Sequence, residues 1–450
     1  MRSLSWLTRK ELRELAASRS FWLLVLMVGL LVGHAFVNSL EIYNEASGAG
    51  GGPAALAQGL TPLEGIVVPT FGAYDLAATL LFPFVVIRLV AGEKQSGELA
   101  LTLQSPAPLS VAVLAKAIAL MIGWIVCGLA GAIALIVWRA IGGHLGAVET
   151  FGVVIGHLLR GALTIGVGAA AGALAASPSS AAIVALAITL GTWALDYVAA
   201  ARGGALAILA EYTPSAALRV FERGEFRMST VLVVLTLVAA GLAIATVWLR
   251  EGDPIGRRVA RLATVVVASA ALCVGFNRVR ASWDVSENRR NSFPAADETA
   301  LRAIDKPLSV TVYLAAEDPR LVDLERGVLS KLRRTMRDVR ITFASSGRTG
   351  LFANGADHYG EIWYELGGRR EMSRSTTEPI VLETIYQLAG RTAPAPVDDV
   401  AYSGYPLKRG APAAPWIFFI GWPVVVLAAW LWSRRPTSFV IPFSATPEVR

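Results

Sequence analysis

Charge is scarce in this sequence. Only 17% of its 450 residues are Asp, Glu, Lys or Arg, against roughly 25% in soluble domains. Lysine is scarcer still, with 6 Lys beside 35 Arg, a ratio that reads as genomic bias. None of Lys10, Lys94, Lys116, Lys306, Lys331 and Lys408 follows the glycine pair of a G-x-x-x-x-G-K-[ST] loop, whose backbone N–H groups cradle phosphates. No ATPase motif is therefore written in the chain. Two cysteines, Cys127 and Cys273, lie far apart in separate apolar runs, which excludes a disulfide framework or a CxxC site. Four histidines, His34, His144, His157 and His358, show no metal-ligand spacing. A cleavable signal is also missing: the first apolar run, from Phe21 to Leu40, is too long for one and follows a polar lead.

What is present is apolar length. The chain is 54% hydrophobic with a mean hydropathy of +0.54. Spans are expected at 20–40, 72–91, 113–138, 151–175, 179–200, 229–249, 262–279 and 415–432. Pro83 sits in the second, and the fourth is rich in Gly and Ala, which permits close packing in lipid. Before them, Leu4, Leu7, Leu12 and Leu15 recur near helical period with Arg2, Arg9, Lys10 and Arg13 off the stripe. Such a helix is expected to lie in the membrane interface with its apolar face toward the acyl boundary.

The distribution of Lys and Arg orients the chain. The segments 1–19, 92–112, 250–261 and the tail, with Lys116, hold 14 Lys and Arg against seven acids, a surplus equal to the net charge of +7. These segments share one side, which is expected to be cytoplasmic, with both termini. The high pI then reports topology and gives no support to nucleic-acid binding. The loop 41–70 has no Lys or Arg and is expected outside. The loop 201–228 dissents, with Arg202, Arg219, Arg223 and Arg227 on the outer side.

Composition changes at Trp283. Residues 283–410 carry 18 charges of each sign and no run long enough to span. They are expected to form an extracytoplasmic α/β domain between spans seven and eight. Strands are expected at 308–315 and 339–344, a helix at 318–338, a hairpin at 361–366 and 369–374 around Gly367-Gly368, and a helix at 378–389. His358, Asp357, Glu361 and Glu365 invite an acid–base role, but no nucleophile motif accompanies them and they read as surface groups. The fold class is thus a polytopic α-helical membrane protein of about eight spans with a small extracytoplasmic α/β domain. Its units are 1–250, 251–282 (a cytoplasmic link and the seventh span), 283–410, 411–435 and the tail 436–450.

The most informative loop joins spans two and three. It reads Gly-Glu-Lys-Gln-Ser-Gly-Glu-Leu-Ala-Leu-Thr-Leu-Gln-Ser-Pro from Gly92 to Pro106. A short amphipathic segment pinned between spans can dock into a groove on a cytoplasmic partner and pass movement into the bilayer. The pattern Glu-x-x-x-Gly-x-Leu-x-x-Leu-x-x-x-Pro followed by a Lys resembles the type-2 (ABC-2) permeases of ATP-binding-cassette exporters. Glu93, Gly97, Leu99, Pro106 and Lys116 carry it, with Leu101 in the same segment, while Glu98 and Ala100 depart from it. The resemblance implies an ATPase-coupling role for these residues. It also implies a dimeric permease, homo- or heteromeric, with ATP bound by a separate cytoplasmic ATPase subunit and no cofactor on this chain.

A second resemblance covers roughly 270–345. The segment from Asp284 to Pro294, then Leu301 to Tyr313, looks like the start of the auxiliary component of gliding-motility-type ABC transporters, in a shorter domain. It implies a permease and a truncated auxiliary domain in one polypeptide. Polar residues inside spans cost energy in hydrocarbon and mark candidate translocation-path groups. These are His157 and Arg160, which share a face of span four and could pair with Glu149 or Asp196, and Asp75 and Asp196, placed near outer span ends. In the external domain, Arg326, Lys331, Arg333, Arg334, Arg337 and Arg340 form a basic helix face, suited to lipid headgroups or a partner protein rather than nucleic acid.

The expected function is the permease subunit of an ABC-type exporter in a bacterial cytoplasmic (inner) membrane. Its expected partners are the ATPase, a second permease subunit, membrane lipid and an envelope protein at the external domain. A second reading is an ATPase-driven mechanical or envelope-assembly component with no solute flux. A third, an integral membrane lipid-modifying enzyme, lacks the cluster of carboxylates or histidines at one depth that it needs.

Overall fold

The computed structural model describes residues 2–46, 60–99, 104, 106–202, 206, 209–210, 212–250, 252–315, 318–344, 358–395, 404–407 and 410–434. Ala100, Leu101, Asp357, Lys408 and the tail 436–450, all named above, lie outside the described residues. Helices α1 (Arg2–Ala17), α2 (Arg19–Ala46), α3 (Leu63–Ser96), α4 (Leu109–Ala140), α5 (Ala147–Leu174) and α6 (Pro178–Arg202) come first. A short helix, α7 (Pro214–Glu222), and strand β1 (Glu225–Arg227) precede α8 (Met228–Trp248) and α9 (Ile255–Phe276). Then follow β2 (Ser282–Asp284), α10 (Ala295–Arg302), β3 (Leu308–Val312), α11 (319–335), β4 (Val339–Phe343), β5 (Ile362–Leu366), β6 (Arg369–Ser373), α12 (Glu378–Ala389) and α13 (Ala414–Ser433).

Eight of these helices are long and apolar enough to cross a membrane: α2, α3, α4, α5, α6 (over Pro178–Ala199), α8, α9 and α13. They match the eight expected runs, and α3 continues through Pro83. The core lies among α2, α3, α4 and α5, where Val28, Val32, Phe82, Trp124 and Cys127 are buried. Small residues set the approaches. Gly161 of α5 faces the Trp124 ring, and Gly166 backs onto the backbone of Val238 in α8. Span eight returns to span one: Trp422 Nε1 donates to the Val25 carbonyl at 3.2 Å. The Trp422 indole and the Phe418 side chain occupy the space that a Cβ at Gly29 or Gly33 would need.

The helix α1 differs from the expected interfacial helix. Leu7, Glu11, Leu15 and Ser18 form its buried stripe, and it packs on α4, with Leu7 against Ala112 and Ala115. Protein, not the acyl boundary, therefore covers this face. Its C-terminal Ala16 carbonyl accepts from Trp22 Nε1 and from Ser433 Oγ, so the ends of α1 and α13 meet on one side of the bundle. On the other side Tyr43 Oη donates to the Tyr405 carbonyl at 2.8 Å.

The unit from α10 to α12 is two-layered. Its sheet has the order β4-β3-β5-β6, with β3 and β4 parallel and the other pairs antiparallel. Strand alternation buries Leu308, Val310, Val312, Ile362, Tyr364 and Leu366 on one face against Leu324, Val328 and Leu332 of α11 and Val381 and Ile385 of α12. On the opposite face Arg370 stacks over Trp363, 4.1 Å from the ring centroid. Gly367 and Gly368 have φ of 57° and 82°, the left-handed pair that a tight hairpin turn needs. The expected strand 308–315 is shorter than anticipated and ends at Val312, and the expected helix 318–338 stops at Thr335, where Met336 turns extended.

In the dissenting loop 201–228, two of the four arginines have nearby carboxylate partners. Arg219 pairs with Asp196 at 3.2 Å, and Arg227 makes a two-point pair with Glu225 at 2.6 and 2.8 Å. These cations are neutralised where they stand.

Replacing Gly33 by Leu should cost about 1–3 kcal/mol through overpacking against Phe418. Adding Phe418→Ala should recover part of it, as read by thermal unfolding of the purified chain.

Candidate functional site

Three polar assemblies hold the candidate residues. The first is an ion network at the α1 end of the bundle. Lys116 Nζ of α4 donates to Glu11 Oε2 of α1 at 2.7 Å and to Glu93 Oε1 of α3 at 2.6 Å. Lys10 Nζ reaches the same Glu93 oxygen at 3.1 Å and pairs with Glu14 at 3.0 Å. The side chains of Lys116, Glu11 and Glu93 are 8%, 3% and 4% exposed. Burial raises the Glu11 carboxyl, opposed by Lys116. For Lys10, burial pulls downward, but its Glu14, Glu93 and Glu11 partners together hold it above the ordinary lysine range. Three elements distant in sequence are thus tied by one ammonium group.

This placement revises the reading of the loop. Glu93, Lys116 and Leu99 point inward rather than toward a docking partner; Leu99 packs with Val90, Val113, Ala245 and Leu249. Gly97 and Pro106 are exposed, and Gly97 ends α3 in a left-handed conformation with φ of 81°. Lys94 donates to the carbonyls of Ala173 and Ala175 at 3.1 and 2.9 Å, capping α5 from the end of α3. Leu101 lies outside the described residues. Sequence reasoning missed Glu11. The signal was present as an acid inside the Leu7–Leu15 stripe, one turn from each leucine.

The second assembly is inside the bundle. Arg160 Nε of α5 donates to Asp75 Oδ1 of α3 at 3.1 Å and to Thr79 Oγ1 at 3.3 Å, while Thr79 also donates to Asp75 at 3.1 Å. His157 lies one turn away between Phe71 and Tyr74, with ring centroids 5.2 and 5.6 Å off. Neither His157 ring nitrogen nor Arg160 Nη1 has a hydrogen-bond partner among the described residues. The expected partners of Arg160 are corrected here. Glu149 accepts from the Glu287 backbone N–H at 3.1 Å, and Asp196 binds Thr213 at 2.6 Å and Arg219. His157, Arg160 and Asp75 form one cluster; Asp196 belongs to another. Glu222, at the end of α7, is raised to about 7, first by burial and then by Asp75, with Arg219, Arg160 and Arg223 opposing.

The third assembly was not expected. Residues 284–292 form a polar knot centred on Asp284, which accepts from Ser286 N (3.1 Å), Ser286 Oγ (2.5 Å), Asn291 N (3.1 Å), Asn291 Nδ2 (3.2 Å) and Ser292 Oγ (2.6 Å). β1 and β2 pair antiparallel beside it. From this knot Arg290 pairs with Glu64 and donates to the carbonyls of Arg223 and Glu222 at 3.0 and 3.1 Å. Asn291 donates to the Arg223 carbonyl at 2.7 Å. Glu287 binds His144 at 2.7 Å and donates its N–H to Glu149. The knot therefore grips the start of α3, the α4–α5 connection and the α7–β1 corner at once. Gly224, with φ of 70°, lies against Ser286, where a Cβ would meet the Ser286 side chain at 2.8 Å.

In the soluble unit Glu361 is occupied by His358 at 2.9 Å, Trp363 Nε1 at 3.0 Å and Arg374 at 3.4 Å, and these donors, His358 first, lower its carboxyl. Glu365 is exposed on the open sheet face, opposite Arg370. Of the basic helix face, Lys331 is buried against Glu378 at 2.7 Å, and Arg334 pairs with Glu298.

Residues 5–211 match the family model of the ABC-2 family transporter proteins. No curated protein matches the chain. The matched stretch holds α1, five of the spans, the ion network and the Arg160–Asp75 pair; α7 to α13 and all six strands lie beyond it. Together with the eight helices, the match makes this a multi-pass membrane protein.

Lys116→Met should cost about 3–5 kcal/mol, because two buried carboxylates lose their shared cation. The combination Glu11→Gln, Glu93→Gln and Lys116→Met should regain most of that loss in thermal unfolding. A second outcome concerns pH. The raised Glu222 pKa favours the protonated form in the folded chain, so its stabilisation is complete below about pH 4.5 and is lost as pH climbs through about 7. Glu222→Gln should reduce the drop in unfolding temperature between pH 5 and pH 8.

Proposed function

We propose that this chain is the membrane permease subunit of an ABC-type exporter, driven by a separate cytoplasmic ATPase subunit and working as a homo- or heterodimer. The supporting observation is that the match over 5–211 coincides with the segment in which one buried cation ties α1, α3 and α4. ATP is bound and hydrolysed on the partner; this chain supplies no catalytic group. The side bearing α1, the 92–108 loop and the α13 end faces the cytoplasm of a bacterium, and the unit 283–410 lies outside. ATPase closure presses on the exposed residues of the 92–108 loop and on α1. The network makes α1, α3 and α4 respond together, so the push reaches the helix bundle without loss at a flexible joint. Asp75, His157 and Arg160 form the polar patch of the translocation path, and Asp196 borders its outer end.

A second reading rests on the knot at Asp284. It fixes the external unit to three outer connections, so a bundle movement becomes a movement of the α/β domain. In this form the chain does mechanical work on an envelope partner, with no solute crossing. Substrate-stimulated ATPase activity with flux in proteoliposomes supports the exporter; ATPase cycling without flux supports the mechanical component.

Deleting 92–108 should abolish co-purification with the ATPase, and unchanged association would refute the coupling assignment. Arg160→Leu should impair transport in proteoliposomes at unchanged expression. Normal flux would remove the cluster from the path.

A further inference from the structure

The short ribbon β1–β2 sits where two spans end. β1 closes at Arg227 and α8 begins at Met228, while α9 ends at Phe276, shortly before β2 starts at Ser282. The ribbon is therefore held at the depth where apolar helices meet water. Its central pair is Phe226 and Trp283, with ring centroids 6.0 Å apart, and Trp283 is 51% exposed. An exposed tryptophan at the end of a span suits the lipid headgroup layer, because its ring is apolar and its N–H is a donor.

Arginines crowd the same corner. Arg219, Arg227 and Arg290 have carboxylate partners in Asp196, Glu225 and Glu64. Arg223, exposed in part, has no ion-pair partner among the described residues, although its own carbonyl accepts from Arg290 and Asn291. The α/β unit brings a second such group. Arg280, between α9 and β2, donates to the Arg337 carbonyl just beyond α11, so the end of α11 is held at the end of α9. Within α11, Lys331 and Arg334 have carboxylate partners, while the exposed Arg326 has no ion-pair partner among the described residues. Arg326 stands near enough to act on Arg223. The Arg223 guanidinium is lowered first by burial, then by the like charges of Arg326 and Arg219, with Glu325 opposing and Arg227 adding to the effect. Among the described residues neither Glu325 nor Glu222 forms an ion pair with either arginine, and the Glu222 carboxyl also bears on Asp75 and Arg160. Two cations from separate units thus share a junction without a shared anion. Guanidinium groups fork onto phosphate oxygens with short, charge-assisted hydrogen bonds.

We propose that the corner between the β1–β2 ribbon and α11 binds the headgroup of an anionic phospholipid, with Arg223 and Arg326 donating to its phosphate and Trp283 in the headgroup layer beside it. A lipid is favoured over an acidic protein because the site lies at the ends of α8 and α9, where acyl chains already run. The headgroup fastens the α/β unit to the bundle at a second point, close to the knot at Asp284. The inference depends on neither the direction nor the existence of transport.

Phosphatidylglycerol is the probe, with phosphatidylcholine of the same acyl chains and inorganic phosphate as the contrasting arms. Retention by the full-length chain is read by native mass spectrometry. Phosphatidylglycerol should be held about tenfold more tightly than phosphatidylcholine, the scale expected for two arginines at a lipid surface. Inorganic phosphate should not displace it. Arg223→Gln and Arg326→Gln, both outside the hydrophobic cores, should each reduce the preference, and the two together should abolish it. Arg370→Gln, on the open sheet face, should leave it unchanged. In nanodiscs, phosphatidylglycerol should slow amide exchange over 319–335 in the wild type but not in the double variant. Equal retention of the two lipids by the wild type would overturn the proposal. So would an undiminished preference in Arg326→Gln, an equal loss in Arg370→Gln, or displacement by millimolar inorganic phosphate.

Discussion

A lysine buried between two carboxylates sets the arrangement of the first third of this protein. Lys116 is fixed on α4, and an ammonium away from water is tolerable only with close acceptors. Glu93 comes from the end of α3 and Glu11 from the middle of α1. Because α1 supplies one of the two acceptors, it cannot lie loose in the interface while Lys116 stays charged and paired. The leucines on either side of Glu11 then bury against α4 as a consequence, and α1 becomes part of the bundle. Four residues after Glu93, Gly97 ends α3 in a left-handed backbone conformation that costs glycine little.

At the opposite end, hydrogen bonds do the joining. The knot at Asp284 is built from short side chains that satisfy one carboxylate, leaving Arg290, Asn291 and Glu287 to reach outward. Arg290 and Asn291 reach the carbonyls of Glu222 and Arg223 at the C-terminal end of α7, groups that lack partners within their own helix, and the remaining partners are the side chains of Glu64, His144 and Glu149. A single nine-residue turn thereby serves three separate connections. The α/β unit is consequently anchored at its base, and span eight, locked to span one through Trp422, closes the chain back onto α2.

How far the sequence discloses this depends on the range of the interaction. Spans are legible because length and apolarity are local properties, and all eight expected runs correspond to helices. The hairpin at Gly367-Gly368 and the two flanking helices are legible because alternation, helical period and turn chemistry are local as well. Pairing between distant charges is not. His157 and Arg160 announce a polar patch by their spacing, but the acceptors expected for them, Glu149 and Asp196, are not the ones they meet. Packing decides for Asp75, which Thr79 also supports from the same helix. Strands β1 and β2, three residues each, carry no alternation long enough to detect; their pairing exists because α8 and α9 bring their flanks together.

The motif residues of the α3–α4 loop show what a sequence pattern does and does not specify. Glu93 and Lys116 are the two positions that most strongly suggest contact with an outside partner, being charged residues next to a loop. Instead they satisfy each other in the interior, and Leu99 fills the space beside them. A pattern of this kind records the interactions that hold a surface in place, not the surface itself. Among the described residues, those exposed at that end include Gln95, Gly97, Glu98, Gln104 and Pro106, together with the exposed face of α1, including Trp6, Arg9 and Arg13. Trp6, Arg9 and Arg13 thus stand on the same helix whose Glu11 is held by Lys116 of α4.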